Sequence, residues 1–265
     1  MNDWLRTGLS RGRLVQCVVV ASLMLCAPWV SSGAVAQSDV SGTITVSAAA
    51  SLRDAFTEIG KAFRAQHPKA KVRFNFGSSG TLVTQISSGA PVDVAAFADL
   101  ATMDRLVSSG LVARAPTVFA RNSMMIAVKR GNPLKVSSVS DLGRVGVVAM
   151  CVVTAPCGSY AKTVLARAGV SIPESSITRG TDVRAVVTQV ASGDAQAALV
   201  YVTDVLASAS SVSGVAIPRS LNVTAMYPIA VVRGSKNGPT ASAFVAFVNS
   251  SPSRAILAKW GFSSP

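Results

Sequence analysis

The sequence predicts an α/β protein of two lobes, each a mostly parallel sheet flanked by helices, joined by crossover strands with a cleft between them. Three observations carry this expectation. Short apolar runs alternate with helical patterns of 10–15 residues from residue 43 onward, the signature of strands covered by helices. The units are too many for one sheet to hold comfortably. No Pro-, Gly- or Ser-rich linker separates them, so the connection between lobes must be made by strands.

In chain order, "TITVSA" (43–48) alternates as a strand, and Leu52, Ala55, Phe56, Ile59 and Phe63 then fall on one helical face. "KVRFNF" (71–76) is the next strand, "TLVTQISS" (81–88) a helix, "VDVAAF" (92–97) a strand, and "LATMDRLVSSG" (100–110) a helix closed by Gly110. The alternation resumes with the strands "SMMIAVK" (123–129) and "VGVVAM" (145–150) and the helices "GSYAKTVLARAG" (158–169) and "DVRAVVTQVASG" (182–193). The strands "AALVY" (197–201) and "YPIAVV" (227–232) and the helices "TASAFVAFVNS" (240–250) and "SRAILAKWGF" (253–262) complete the chain. With crossovers near Arg121–Met125 and Met226–Val231, the expected division is residues 37–121 with 226–265 in the first lobe and 122–225 in the second.

The start of the chain reads differently. Arg6, Arg11 and Arg13 precede the apolar "LVQCVVVASLMLCAPWV", and small residues follow, ending in Ala34-Val35-Ala36. That order of basic flank, apolar run and Ala-x-Ala is a secretory signal, with cleavage expected after Ala36. The run is interrupted by Gln16 and is short for a bilayer span of about 20 residues. Lipid attachment at Cys26 is the alternative, and Leu25 before it fits poorly. Residues 1–36 are therefore read as a signal peptide and the protein as exported, to the periplasm or cell envelope.

The whole chain carries 25 Lys and Arg against 12 Asp and Glu, a formal charge of +13. Without residues 1–36 it keeps 22 basic and 11 acidic side chains. They are scattered singly, without the Lys/Arg runs and interleaved aromatics of a nucleic-acid surface. Together with the export signal this argues against nucleic acid as a partner and leaves a mild attraction for anions. Beyond residue 36 only Cys151 and Cys157 remain. Their spacing is not that of a CxxC redox or zinc site, and in an oxidising compartment it leaves a disulfide open.

Four strand-to-helix junctions are rich in small residues: "SAAASLRDAF" with Ser51, "FGSSGTL" with Ser78 and Ser79, "TAPCGSYAK", and "RGTDVRAV". Ligands of parallel sheets bind beyond the carboxyl ends of strands, and helix starts offer unpaired N–H groups and partial positive charge to anions. Each junction also has a plain structural reading. Ser51 with Asp54 resembles a capping box, Ser79 a turn or cap residue, Asp182 an N-cap, and Tyr201 a core-edge aromatic.

Catalysis finds little support. The single histidine, His67, lies in a polar "AQHPK" turn about 16 residues from Ser51, and "GSSG" is neither a GxSxG elbow nor a phosphate loop with its lysine. Asp93 and Asp99 bracket "VAAFA", but no Asp, Glu or His cluster has metal-ligand spacing. No enzyme, cofactor or bound metal cation is expected. A secreted serine hydrolase using Ser78 or Ser79 is the rival of another class, and a sensory or adhesive module of the same fold is a third.

Taken together, "ITVSAAASLRDAF", "FGSSGTLVTQISSGAPVDVAAFAD", "PCGSYAKTVLARAG", "DVRAVVTQVASGDAQAALVY", "YPIAVV" and "AKWGF" resemble, in order, the molybdate-binding proteins of bacterial ABC transporters. The similarity runs from about Thr43 to Phe262. It implies the type II periplasmic binding-protein fold, molybdate and tungstate as ligands, a membrane permease as partner, and a monomer. Carried over residue by residue, it implies that Ser51 and Ser79 each offer a hydroxyl and an amide. Cys157 and Val183 would offer amides, and Tyr201 its phenol. Cys157 departs from the small residue, such as alanine, expected there. A site of donors alone suits a tetrahedral dianion that carries only acceptors. Sulfate, phosphate or another tetrahedral anion is the alternative ligand.

Overall fold

The structure is a computed structural model that describes residues 40–265. The expected signal segment, its cleavage after Ala36 and the alternative at Cys26 lie outside the described residues. Among those residues no helix is long and apolar enough to cross a membrane.

The first lobe is built on β1 (Gly42–Ala49), β2 (Ala70–Gly77) and β3 (Val94–Ala96), with β1 central and parallel to both neighbours. In β1 the alternate residues Ile44, Val46 and Ala48 are fully buried, the period-two pattern of a covered strand. Helix α1 (Arg53–Gln66) buries Ala55, Phe56, Ile59, Gly60 and Phe63, one stripe at helical spacing. Its Phe56 and Phe63 meet Phe244 edge-on at 6.2 and 5.3 Å between ring centroids. Phe244 belongs to α7 (Gly238–Val248), so the chain's end is tied into this lobe. Helices α2 (Ser79–Ser87) and α3 (Leu100–Ser108) pack with β3 around Leu82, Phe97, Met103 and Leu106.

The second lobe repeats the plan with β5 (Val148–Cys151) between β6 (Ile177–Gly180) and β7 (Ala197–Tyr201), all parallel. Helices α4 (Pro156–Arg167) and α5 (Val183–Ser192) accompany them. All five residues of β7 are buried, as expected of a parallel strand covered on both faces.

The link is β4 (Thr117–Lys129), 13 residues long, with one shift of register between Val118 and Ala120. Thr117–Ser123 pair antiparallel with β9 (Thr224–Val231), which also pairs with β3. Met124–Lys129 pair antiparallel with β7 and with β8 (Val212–Ala216). One strand thus leaves the first sheet and enters the second, and β9 returns. The parallel character is confined to the three-strand centre of each lobe, and the crossover strands are antiparallel to it. Three elements went unforeseen in the sequence: β6, β8 and α6 (Val202–Ala207). The first two are four and five residues with polar interruptions, and α6 follows β7 with no turn residue to announce it.

Candidate oxyanion site between the lobes

The four small-residue junctions meet. Ser51, Ser79, Cys157, Val183 and Tyr201 all line one cavity, with Gly77, Ser78, Ala98 and Asp182 around them. It is a small cavity of ≈ 210 Å³. The roomier hollows lie elsewhere, one around Asp93, Arg233 and Lys236 and another around Asn122, Arg219 and Asn222. Neither contains any of the five expected ligand residues, whereas the small cavity is walled by both lobes and suits a compact ion.

Each donor is placed by a local rule. Ser78, not Ser79, is the N-cap of α2: its Oγ accepts the Thr81 amide at 3.1 Å. This leaves Ser79 as the first helical residue, with an amide that a helix start does not pair. The Ser79 Oγ accepts the buried Ala98 amide at 3.0 Å, so its one hydroxyl proton is free to be donated elsewhere. Ser51 corrects the capping-box reading. It sits inside a 3₁₀ turn, Ala50–Leu52, and makes no cap to α1. Its Oγ lies 2.9 Å from the Tyr227 phenol instead. Asp182 keeps its structural role, accepting the Arg184 and Ala185 amides at 2.9 and 3.1 Å, which makes Val183 the first residue of α5.

Pro156 opens α4, and having no N–H it makes Cys157 the first amide of that helix. Cys157 is bonded to Cys151 at the end of β5, so the disulfide left open by the sequence spans the turn that presents this amide. Three helix starts therefore face one point, each worth a partial positive charge of roughly one half at its tip. Among the described residues no Lys or Arg lines the cavity, and Asp182 is the one carboxylate that does.

Tyr201 is 1% exposed, and its phenol oxygen is buried with no hydrogen-bond partner among the described residues. Burial holds its ionisation well above the ordinary tyrosine range, with Tyr227 and Tyr160 adding to the effect. It therefore remains a donor, and an unsatisfied one, which costs about 1–3 kcal/mol unless something accepts from it. Burial raises Tyr227 as well, against the lowering by its bond to Ser51.

Two contributors were missed in the sequence. Tyr227 appeared there only as a strand residue, yet a buried tyrosine needs a partner for its hydroxyl, and that need was the available signal. Asn122 donates to Thr203 Oγ1 at 2.9 Å and to the Tyr227 oxygen at 3.4 Å, linking the crossover strand to both. His67 caps the end of α1 against the Phe63 ring, 4.7 Å away, and does not line the cavity.

Two lobes joined by crossing strands, with helix starts and hydroxyls converging between them, define a solute-binding protein for a small anion. The chain belongs to the bacterial extracellular solute-binding protein family, which matches residues 44–263. It is 39% identical to the molybdate-binding protein ModA of Mycobacterium tuberculosis H37Rv over 264 residues, 97% of this chain and 98% of that protein. Among solved structures it resembles the periplasmic molybdate-binding protein of Azotobacter vinelandii, with a TM-score of 0.77 and 20% identity over 84% of this chain and 99% of that one. The substrate-binding domain of a putative molybdenum ABC transporter from Clostridium difficile matches over the same shares at a TM-score of 0.64 and 26% identity.

Proposed function

We propose that this chain captures molybdate, and with it tungstate, outside the cytoplasm and delivers it to the permease of an ABC importer, without catalytic turnover. The observation that carries the reading is the Tyr201 phenol, buried and without a partner among the described residues, in a cavity that Ser51, Ser79 and the helix-start residues Cys157 and Val183 also line. Such a site offers donors and, among the described residues, no cationic side chain, which suits a small, fully deprotonated oxyanion. The similarity to molybdate-binding relatives supports the choice among such anions.

The proposed ligand set is Ser51, Ser79, Cys157, Val183 and Tyr201. The first lobe is proposed as residues 37–121 and 226–265 and the second as 122–225; β4 exchanges its partners close to that boundary, between Ser123 and Met124. An anion held by Ser51 and Ser79 on one side and by the other three on the other would draw the lobes together. The chain acts as a monomer in this reading, exported after loss of residues 1–36.

A panel of molybdate, tungstate, sulfate and phosphate against the melting temperature of residues 37–265 tests it, since a ligand bound by the native state alone raises that temperature. Molybdate and tungstate are expected to stabilise at micromolar concentration and sulfate and phosphate to do so weakly. Stabilisation by phosphate or sulfate in preference would reassign the ligand. Labelling of Ser78 or Ser79 by a serine-reactive phosphonate would instead favour a hydrolase.

A further inference from the structure

Gly80, beside the proposed ligand residue Ser79, faces the backbone of the opposite lobe. A Cβ built on Gly80 would lie 2.4 Å from the Thr154 carbonyl oxygen and 3.4 Å from its carbon. Gly80 is the second residue of α2 in the first lobe, and Thr154 lies in the turn between β5 and α4 in the second. The two segments approach here closely enough that no side chain fits between them.

The turn that carries the Thr154 carbonyl is held from several directions. The Cys151–Cys157 disulfide closes it. Ala155 donates to the Val152 carbonyl at 3.0 Å, and Val152 donates to the Gly180 carbonyl at 2.9 Å. Gly158 lets α4 sit directly on the turn, because a Cβ there would meet the Val152 oxygen at 2.2 Å and the Cys151 oxygen at 2.9 Å. An obstruction at Gly80 would therefore meet a braced backbone rather than the free end of a flexible side chain.

We propose that the Gly80–Thr154 contact is the stop that sets how far the cleft closes, and that Gly80 is a positioning residue for anion capture. The inference rests on the proposed oxyanion function. Ser79 is the residue before Gly80, and Cys157 lies three residues after Thr154, so this contact fixes the spacing between a first-lobe and a second-lobe donor. Backing a methyl group off to ordinary contact near 3.4 Å separates the lobes locally by about 1 Å. Hydrogen bonds effective at about 2.7–3.2 Å then stretch past their useful range on one side of the ligand. The helix itself has no objection to the change, since alanine is the better helix former.

The test compares residues 37–265 as wild type, Gly80→Ala and Gly238→Ala, the last at a helix start where an added Cβ meets nothing within 4 Å. Calorimetric affinity for sodium molybdate is read beside the melting temperature without anion. Gly80→Ala is expected to weaken binding about ten- to a hundredfold while its anion-free melting temperature stays equal or rises. Gly238→Ala should bind as wild type. Binding by Gly80→Ala within twofold of wild type overturns the proposal, as does a lost affinity accompanied by a lowered anion-free melting temperature. Should wild type prefer another anion of the panel, the molybdate reading falls while the contact is tested with that anion. Should it bind none, both fall.

Discussion

The Ser51 hydroxyl lies 2.9 Å from the Tyr227 phenol, a residue 176 positions later in the chain. Tyr227 in turn accepts from Asn122 at 3.4 Å, which leaves its own proton available to donate to Ser51. Ser51 can then accept from Tyr227 and donate its single proton into the cavity. In that arrangement the Ser51 hydroxyl is held as a donor toward the proposed ligand.

Replacing Tyr227 by Phe removes this orientation while keeping the ring, which packs edge-on against Phe262 and Phe119. The expected result is a loss of about 0.5–1.5 kcal/mol in molybdate affinity, the worth of one net hydrogen bond. Calorimetry on Tyr227→Phe checks it, and an unchanged affinity would remove Tyr227 from the site.

Ser79→Ala has two expected effects. Losing the hydroxyl donor weakens oxyanion binding by about 1–3 kcal/mol. The buried Ala98 amide, which donates to the Ser79 oxygen, is left without a partner, so unfolding free energy falls too, by about 1–3 kcal/mol. The Ala98 bond is why urea denaturation should detect a loss beside the calorimetric one.

Asp204 supplies the pH dependence. It is fully buried, and desolvation pushes its ionisation up to about 7, against lowering by the Arg184 charge and by the Tyr201 amide that it accepts. Asp54 and Asp182 raise it further. The unfolded carboxyl titrates near 4. Because the folded value is the higher one, the native state holds the extra proton between these values. The stability it confers is complete below about pH 4 and lost as pH rises toward 7. Asp204→Asn, which keeps an acceptor for the Tyr201 amide, should flatten that slope. Urea unfolding at intervals from pH 4 to 8 measures it, and equal slopes in both proteins would contradict the assignment.

Most of the fold was legible because its elements are strongly periodic. The α1 stripe of Phe56, Ile59 and Phe63 and the alternation of Ile44 and Val46 leave little choice of period. β4 was read only from Ser123, yet it begins at Thr117, because Arg121 and Asn122 interrupt the apolar pattern where the strand crosses between sheets. β6 and β8 are held by neighbours rather than by their own pattern, and no local signal could announce them. At the site, Ser51, Ser79, Cys157, Val183 and Tyr201, which line one cavity, were singled out as ligand contacts by resemblance and not by spacing. Each alone passes for a cap or a core edge, and convergence from distant parts of the chain is invisible to local periodicity. The Gly80–Thr154 approach is of the same kind: one glycine among 20, distinguished only by what the other lobe brings against it.

The account stands on a single small anion held by donors from both lobes. Its most direct test is a crystal structure of residues 37–265 grown with molybdate, using anomalous scattering at the molybdenum absorption edge to locate the metal. The account predicts one dominant peak in the cavity, with the oxyanion within hydrogen-bonding reach of Ser51, Ser79, Cys157, Val183 and Tyr201. A peak beside Arg233 and Lys236, or an empty cavity in crystals that hold molybdate elsewhere, would contradict it.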